Sequence, residues 1–354
     1  MAATHGFRLP AEWEPHEATW IGWPHNRTDW PGRFGPIPWV YAEIVRKLAP
    51  GEYVRALVES KAHEISARRV LARAGVDAAR VEFFRFPTNR GWTRDSGPTF
   101  VSRGGQRPEI AVRRFRFNGW ARYDDWKKDD AVPRKTARAL ALPLLPARLR
   151  ERDIVLEGGA IDVNGSGTVM TTEECLLDEK VQVRNPGMTR REYESAFKEL
   201  LGASNVLWLN RGIAGDDTHG HVDDIARFVN RRTVVLSRET RALDENYRPL
   251  EENRERLEGM RLEDGSKIEI AFLPMPEPIF FDGRRLPASY ANFYIGNAAV
   301  LVPTFNDRKD RMALGVLSAL FRDRPVVGIH AVDLVWGLGT IHCLTRQQPA
   351  MTAP

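Results

Sequence analysis

Short runs of apolar and β-branched residues recur along the chain, separated by segments in which apolar residues return every three to four positions. The short runs predict strands and the longer segments predict amphipathic helices. The predicted strands span 52–58, 80–86, 233–237, 267–273, 298–303 and 324–330, and the predicted helices span 38–48, 61–75, 189–202 and 311–321. This alternation is typical of an α/β architecture built from repeated small units.

Local signals predict the ends of some elements. Gly75 and Gly202 lie where a C-terminal capping glycine is expected, and Thr189 is a suitable N-cap for the third helix. Asn164-Gly165 resembles a two-residue hairpin turn. Because no break in composition or low-complexity tract divides the sequence, we predict a single domain over residues 1–354.

Composition narrows the class of protein. The 354 residues are 42% hydrophobic and 28% charged, which favours a packed core over disorder. We expect no membrane interaction, because no apolar run reaches the ~18 residues of a spanning helix. The first twenty residues lack the features of a secretory signal, so we expect a cytoplasmic protein. Two cysteines, Cys175 and Cys343, are too few for a disulfide framework or a cysteine-based zinc site.

Positive charge is concentrated in one segment. The chain has a net charge of +5, and residues 103–150 contain 13 basic against 5 acidic residues. Such a segment could belong to a nucleic-acid-binding module. Acidic pairs interrupt it, however, and no clear platform of aromatic residues runs through it. We therefore interpret it as a solvated face and expect no nucleic-acid partner.

Two glycine-containing segments carry candidate carboxylates. Residues 89–100 place Trp92, Arg94 and Asp95 just before a Gly-Pro turn, where an aspartate could serve chemistry or simply satisfy turn amides. Farther on, the apolar run 154–156 leads directly into Glu157 and two glycines. A carboxylate at the end of a buried strand needs a cation, although a tight turn beside a surface glutamate would give the same pattern.

The densest polar cluster lies at 212–229. Its candidates are Asp216, Asp217, Thr218, His219, His221 and Asp223. Histidine is suited to proton transfer near neutral pH, and a nearby carboxylate would orient its ring. The same His-x-His-x-Asp pattern also opens some binuclear zinc sites, so a zinc-dependent hydrolase using His219 and His221 is an alternative. The remaining histidines form no second ligand cluster, and we predict no metal site.

Cys343 follows a glycine-rich stretch near the C-terminus and is the candidate nucleophile. A buried, unreactive cysteine is the alternative reading, and we assign that structural role to Cys175. The adjacent His342 is a poor candidate base, because in an extended segment neighbouring side chains point to opposite faces.

Together the candidates comprise one thiol, one histidine and the carboxylates of Asp95, Glu157 and Asp223. Several carboxylates favour a cationic substrate, and a planar guanidinium pairs with them through bidentate bonds. The positions recur at multiples of a similar interval, since 62 residues separate Asp95 from Glu157, 64 separate Glu157 from His221, and 122, or twice 61, separate His221 from Cys343. This spacing fits a pseudosymmetric ring in which each unit donates a group to a central pocket.

Eight motifs resemble those of the agmatine deiminases, in the superfamily of guanidino-group-modifying enzymes that includes arginine and bacterial peptidylarginine deiminases. The motifs are LPAEWEPHEATW (9–20), WPHNRTDWPG (23–32), WTRDSGPT (92–99), LEGGAIDVNGSGT (156–168), TTEECLL (171–177), GDDTHGHVDDIARFV (215–229), LPASYANFYIGN (286–297) and IHCLTRQQP (341–349). The resemblance, over about 9–349, implies a five-bladed pseudosymmetric α/β propeller of ββαβ units. It also implies no metal or organic cofactor, and hydrolysis of agmatine to N-carbamoylputrescine and ammonia, a step toward putrescine and polyamines.

The resemblance also implies residue roles. Cys343 matches the nucleophile, His221 the general acid/base, and Asp95, Glu157 and Asp223 the catalytic carboxylates. In the mechanism we expect, Asp95 and Asp223 clamp the guanidinium and Trp92 packs on its face. Agmatine carries a second positive charge, which Asp216 or Asp217 would meet.

The expected partners are therefore a small cationic guanidine and a second copy of the chain in a homodimer. One departure concerns the loop before the nucleophile, which reads GLGTIHC (337–343) where the family usually has GGGNIHC. Leu338 and Thr340 replace a glycine and an asparagine. The exact guanidine is therefore open between agmatine, an agmatine homologue, arginine and peptidyl-arginine.

Overall fold

The computed structural model describes residues 6–105 and 108–351, so the domain predicted over 1–354 includes residues 1–5, 106–107 and 352–354 that lie outside the described ranges. The strands, in chain order, are β1 (His16–Gly22), β2 (Tyr53–Leu57), β3 (Val81–Phe84), β4 (Thr99–Arg103), β5 (Glu109–Arg114), β6 (Leu144–Pro146), β7 (Arg148–Leu149), β8 (Arg152–Asp153), β9 (Asp162–Val163), β10 (Thr168–Thr172), β11 (Asn205–Leu209), β12 (Ala226–Phe228), β13 (Thr233–Arg238), β14 (Glu269–Pro274), β15 (Phe280–Phe281), β16 (Arg284–Arg285), β17 (Tyr294–Ile295), β18 (Val300–Thr304), β19 (Val326–His330) and β20 (Thr345–Pro349). The α-helices are α1 (Ile37–Leu48), α2 (Lys61–Arg73), α3 (Thr93–Ser96), α4 (Lys127–Asp130), α5 (Val132–Ala139), α6 (Glu173–Leu177), α7 (Arg190–Leu201), α8 (Tyr247–Gly259), α9 (Asp310–Leu320) and α10 (Ile341–Leu344).

Five sheets of three or four strands share one connectivity. In each, the first strand runs antiparallel to the second, and the second runs parallel to the third. The sheets are β4-β5-β6, β9-β10-β11, β12-β13-β14, β17-β18-β19 and β20-β1-β2-β3. A helix joins the two parallel strands in every case, because a parallel pair needs a long crossover. The chain is therefore an α/β protein of five similar units.

The two ends of the chain meet in the last of these sheets. β20 pairs with β1 in antiparallel register, so that Thr345 lies opposite Ile21 and Gln347 opposite Thr19. The unit that begins near the N-terminus is thus completed by the last strand, and Cys343 lies just before that strand.

The elements predicted from hydrophobic periodicity are all present, with ends that differ by a few residues. Thr189 caps α7 in a capping box with Glu192, and Gly202 follows the helix with φ of +70°. Gly75, after α2, has φ of +71°. Both glycines adopt the left-handed conformation that glycine accepts without steric cost.

Two local predictions were wrong. The turn at Asn164-Gly165 is longer than two residues, because β9 ends at Val163 and β10 begins at Thr168. The Asn164 side chain stabilises this longer loop, and its Oδ1 accepts from the backbone N–H of Ser166 and Thr168. In the segment 154–156, Ile154 and Leu156 are buried and Val155 forms an isolated bridge to Arg116, so no regular strand leads into Glu157.

Apolar helix faces cover the sheets. The buried residues of α1 recur at helical spacing, as do those of α7, and each set packs into a hydrophobic cluster with neighbouring strands. Trp20 and Ile21 of β1 are fully buried in such clusters. None of the described helices is long and apolar enough to cross a bilayer.

Candidate active site

In each of the five sheets, a buried polar or thiol side chain lies within five residues before the first strand. Asp95 precedes β4, Glu157 precedes β9, His221 precedes β12, Asn292 precedes β17 and Cys343 precedes β20. Equivalent positions in five similar units thus supply different chemical groups. The structure brings together the side chains of Asp95, Glu157, His221 and Cys343, which the sequence analysis proposed as one site.

Asp95 belongs to the short helix α3 and is held by two donors. Its Oδ2 accepts from Trp120 Nε1 at 2.8 Å, and its Oδ1 accepts from the backbone N–H of Gly159 at 2.9 Å. Burial is the main cause that raises the pKa of Asp95 above its ordinary value of 3.8, while the charge of His221 lowers it and the charges of Asp223 and Glu157 raise it further.

The position of Gly159 explains the second of the paired glycines in the motif. A Cβ at this position would lie 2.5 Å from His221 Nδ1, 2.9 Å from Asp95 Oδ1 and 3.0 Å from Asp223 Oδ2. The backbone of Gly159 therefore occupies the space between three side chains of the site, and glycine is the residue that leaves this space to them.

The ring of His221 is fully buried among carboxylates. Nδ1 lies 3.9 Å from Asp95 and 4.0 Å from Asp223, and Nε2 lies 4.0 Å from Glu157. Burial by itself lowers the pKa of His221, but Asp95, the neighbouring Cys175 and Asp223 raise it well above the ordinary value of 6.5. The surrounding negative charges therefore favour the protonated imidazole, the form that can donate a proton.

Glu157 has the cationic partner that its burial requires. Arg184 Nε donates to Glu157 Oε1 at 3.2 Å, and both side chains are fully buried. The second carboxylate oxygen, Oε2, faces His221. Sequence analysis did not name Arg184, although the need of a buried carboxylate for a cation predicted such a residue.

Asp223 is fixed by His342. Asp223 Oδ2 lies 2.6 Å from His342 Nδ1, and His342 Nε2 lies 2.9 Å from Glu12 Oε2. The expectation that this segment is extended was wrong, because residues 341–344 form α10. His342 bridges two carboxylates with both ring nitrogens, and it therefore orients Asp223.

Glu12 connects the site to the N-terminal segment. This buried carboxylate accepts from Arg94 Nη2 at 2.8 Å and Arg227 Nη2 at 2.8 Å, in addition to its contact with His342. Although burial opposes ionisation, the charges of Arg227, His342 and Arg94 lower the pKa of Glu12 well below 4.5. Sequence analysis did not predict this role, but Glu12 lies in the first motif that carried the family resemblance.

Cys343 lies in α10 with its thiol beside a carboxylate and an amide. Sγ lies 3.8 Å from Asp223 Oδ2 and accepts from Asn292 Nδ2 at 3.1 Å. Burial and then the charges of Asp223, Asp224 and Asp95 raise the pKa of the thiol well above 9.0. An entering cation would offset the charge of these carboxylates and favour the thiolate.

A cavity opens onto this thiol. Its lining includes Trp92, Asp95, Trp120, Leu338 and Cys343. Aromatic faces and a carboxylate beside a thiol are suited to a flat cation.

The two acidic residues proposed for the far end of the substrate differ in position. Asp217 lines the cavity, where it accepts from Tyr123 Oη at 2.6 Å and pairs with Arg122 at 3.3 Å. Asp216 accepts from the backbone N–H of Gly220 at 2.7 Å and of His221 at 3.2 Å, so it shapes the loop that carries His221.

Asp29 is a further acidic residue in the cavity lining that sequence analysis did not identify. It is buried beside Arg90, and its pKa is raised to about 7, mainly by burial. Its charge therefore changes near neutral pH. The motif WPHNRTDWPG, which contains it, was the available signal.

His219 and His221, the two histidines of the zinc alternative, have different partners. His219 Nε2 pairs with Asp178 Oδ2 at 2.8 Å. His221 instead lies with Glu157 and Cys175, their potential ligand atoms all within 4.8 Å of one another. Within the described ranges, no group of potential metal ligands at this spacing contains His219.

Comparisons with known proteins match nearly the whole chain. Residues 8–349 match the family model described as Porphyromonas-type peptidyl-arginine deiminase. The agmatine deiminase of Pseudomonas aeruginosa is 33% identical, covering 98% of this chain and 96% of that protein. The solved agmatine deiminase of Enterococcus faecalis is 30% identical with a TM-score of 0.88, covering 98% and 97% of the two chains. A substrate-bound agmatine deiminase of C. jejuni with a cysteine-to-serine substitution is 28% identical with a TM-score of 0.84, covering 97% and 96%.

Proposed function

The chain belongs to the Porphyromonas-type peptidyl-arginine deiminase family, and we propose that it is an agmatine deiminase, a hydrolase of the guanidino C–N bond. The observation that carries this proposal is the cluster of Cys343 and His221 with the carboxylates of Asp95, Glu157 and Asp223. Cys343 and Asp95 of this cluster line a cavity. The full-length similarity to agmatine deiminases supports agmatine as the substrate. The products are N-carbamoylputrescine and ammonia, and the first of these leads toward putrescine and polyamines.

Binding begins with the guanidinium between Asp95 and Asp223. Charge-assisted hydrogen bonds to two carboxylates fix the plane of the cation, and Trp92 packs on its face. The second positive charge of agmatine lies toward the acidic residues Asp217 and Asp29 of the cavity lining. This arrangement supports a small dication over a substrate that carries a free carboxylate.

The first chemical step is attack by sulfur. The bound cation offsets the negative charge around Cys343, and the thiolate forms a C–S bond with the guanidino carbon. His221 donates its proton to the departing nitrogen, the C–N bond breaks and ammonia leaves. A cationic S-amidino intermediate remains on Cys343.

Water completes the reaction. Neutral His221, with Glu157 beside it, removes one proton from water while the oxygen forms a bond with the amidino carbon. The C–S bond breaks, the second proton passes to the ammonia released in the first step to give ammonium, and the thiolate and the imidazolium are restored. Atoms and charges balance for conversion of one guanidinium and one water to a ureido product and ammonium.

We propose that the five similar sheets form one domain as a five-bladed pseudosymmetric α/β propeller around this cavity. Their shared connectivity and the equivalent placement of the functional residues support this arrangement. A cytoplasmic location and a homodimer, both expected from the sequence, complete the proposal. Gel filtration with light scattering tests the dimer.

Incubation with agmatine, followed by a colour assay for ureido groups and mass spectrometry, tests the activity. We expect turnover by the native chain and a loss of more than about 10³-fold for Cys343→Ser, because a hydroxyl is a much weaker nucleophile than a thiolate. Cys175→Ser is the matched control and should retain turnover. If Cys175→Ser loses activity while Cys343→Ser keeps it, the nucleophile has been assigned to the wrong cysteine.

The family description also names peptidyl-arginine, so the substrate is tested by competition. Arginine, an arginine-containing peptide and agmatine are supplied at equal concentration. We expect agmatine to be consumed first, because a second ammonium matches Asp217 and Asp29. If the peptide or arginine is converted preferentially, agmatine is not the preferred substrate, but the reaction class stays the same.

A further inference from the structure

Cys175 is a buried thiol that the proposed reaction does not use. It lies in α6, where Thr172 Oγ1 accepts from its backbone N–H at 3.1 Å and fixes the first turn of the helix. The potential ligand atoms of Cys175, His221 and Glu157 all lie within 4.8 Å of one another, and all three side chains are buried. A second thiol thus adjoins the ring of His221 without a part in the chemistry.

Two of these three side chains have polar atoms without a hydrogen-bond partner. Among the described residues, none makes a hydrogen bond with Glu157 Oε2 or with either ring nitrogen of His221, although both side chains are fully buried. Arg184 donates to the other carboxylate oxygen, Oε1, so Oε2 stays available. Oε2 lies 4.0 Å from His221 Nε2. Buried polar atoms without partners in the chain are uncommon, and an ion is one of the partners that satisfies them.

The donor set is suited to zinc. A thiolate, an imidazole nitrogen and a carboxylate oxygen are the three donor types that bind Zn²⁺ in proteins. Ligands at about 2.0–2.3 Å from a tetrahedral zinc lie roughly 3.3–3.6 Å from one another, so side-chain movements of about 1 Å close the present separations to that spacing. Asp95 and Asp223, which face the other ring nitrogen of His221, add negative charge that favours a cation.

We propose that Cys175 Sγ, His221 Nε2 and Glu157 Oε2 form an inhibitory Zn²⁺ site, with water as the fourth ligand. Zinc on Nε2 takes the position of a proton, so His221 neither donates a proton to the departing nitrogen nor accepts one from water. The sequence analysis predicted no metal site, and its zinc alternative used His219, which this site excludes. The site is argued from contacts alone, whereas the inhibition rests on the proposed role of His221.

The site lies behind the wall of the cavity. Asp95 lines the cavity, and its Oδ1 lies 3.9 Å from His221 Nδ1, the ring nitrogen opposite the proposed ligand atom. Zinc therefore has to pass the ring of His221 to reach its ligands. We expect inhibition to develop with time after zinc is added and to be reversed slowly by a chelator.

Cobalt(II) is the spectroscopic probe, because a thiolate bound to it gives a charge-transfer absorption. The chain has two cysteines, so variants of each identify the thiol. The native chain and Cys343→Ser should show this absorption with one metal per chain, and Cys175→Ser should lack it. Zinc affinity, measured by competition with a coloured chelator, should fall more than about a hundredfold in Cys175→Ser, since even an outer partner of a ligand contributes roughly 10- to 100-fold.

His219→Gln is the matched control, because His219 pairs with Asp178 and lies outside the proposed ligand set. It should bind zinc with native affinity. An absorption that is lost in Cys343→Ser and kept in Cys175→Ser would place the metal on Cys343 and overturn the proposal. Equal zinc affinity in the native chain and all variants would overturn it as well.

His221→Asn decides the question if Cys175→Ser fails to fold. It removes the nitrogen ligand and keeps both thiols, and zinc affinity should fall by a similar factor. Native zinc affinity in this variant would overturn the proposal.

Turnover after incubation with zinc tests the inhibition. At ten times the Kd for zinc about nine-tenths of the sites are filled, so the native chain should fall about tenfold below its own metal-free activity. Cys175→Ser should keep most of its own metal-free activity at that zinc concentration, and an equal loss in both would overturn the inhibitory role. Lack of agmatine turnover by the native chain would contradict the proposed function but would not alter the cobalt spectra.

Discussion

At the scale of single residues, Gly159 limits what the site can tolerate. Replacement by alanine would put a Cβ 2.5 Å from His221 Nδ1 and within 3.0 Å of the carboxylates of Asp95 and Asp223. We expect Gly159→Ala to lower kcat by about 10²-fold or more, because displacement of a catalytic group by ~1 Å has effects of that size. Steady-state kinetics with circular dichroism checks the result.

The control for Gly159→Ala is Gly315→Ala, in α9, where an added Cβ meets no atom within 4 Å. This variant should keep full activity and gain slightly in stability, since alanine favours helix. Native activity in Gly159→Ala would show that the backbone can move aside and that the packing argument is wrong.

The lowered pKa of Glu12 leads us to expect that the stability of the fold depends on pH. Its folded pKa lies well below 4.5, so its contribution is present above that value and is lost as the pH falls through the folded pKa. We expect Glu12→Gln to lower the free energy of unfolding by about 3–5 kcal/mol at neutral pH, because Arg94 and Arg227 lose a buried partner. Denaturant unfolding at several pH values measures the difference.

The difference between the native chain and Glu12→Gln should shrink as the pH is lowered below 4.5. Glu255→Gln serves as control, because Glu255 is largely exposed and should change stability by less than about 1 kcal/mol. A difference that stays constant down to the lowest pH at which the protein folds would contradict the assignment of Glu12 as the charged partner.

At the scale of elements, the loop between the 3₁₀ helix Val335–Gly337 and α10 contains Leu338 and Thr340, the two departures noted in the sequence analysis. Leu338 has φ of +68°, a left-handed conformation that favours glycine, and its side chain lines the cavity. The glycine usual in the family thus fits the backbone better, whereas leucine adds apolar surface to the cavity. The left-handed backbone of Leu338 costs about 1 kcal/mol, and the leucine side chain adds apolar surface to the cavity.

We expect Leu338→Gly to change KM for agmatine several-fold while the melting temperature moves by only a few degrees. Relief of the left-handed leucine is offset by the greater entropy of glycine in the unfolded chain. Kinetics and calorimetry on the same preparation check both parts. A large fall in melting temperature with unchanged KM would mean that Leu338 acts in packing and not in substrate fit.

At the scale of the whole molecule, the first and last strands depend on each other. Gln348 of β20 accepts from Trp20 Nε1 at 2.9 Å and from Arg55 Nη1 at 2.6 Å, which joins the C-terminal strand to β1 and β2. We expect a chain ending at residue 344 to lose activity and to unfold at a lower temperature, although it still contains Cys343. Loss of β20 removes the strand that fixes α10.

Thermal unfolding by circular dichroism and ureido production test this truncation. Gln348→Ala provides a milder comparison, with intact β20 and two buried donors left without a partner. We expect destabilisation of about 1–3 kcal/mol in that variant. Full activity in the truncated chain would show that α10 is held by its own contacts and not by the pairing of β20 with β1.

Hydrophobic periodicity was sufficient to find strands such as β13 and helices such as α7, because their buried positions follow a regular pattern within a short stretch of sequence. The motifs were sufficient to name Cys343, His221 and the three carboxylates as candidates. The segments 154–156 and 341–344 were misread because tertiary contacts decided their backbone conformation.

The sequence by itself determined the α/β class, the family and the chemical groups available for the reaction, since these depend on residue types and local spacing. Only the tertiary structure revealed Glu12, Arg184 and Asn292, because their roles come from charges and hydrogen bonds between segments far apart in the chain. The role of a buried ion or amide depends on the group with which it pairs, and only the three-dimensional packing determines which group that is.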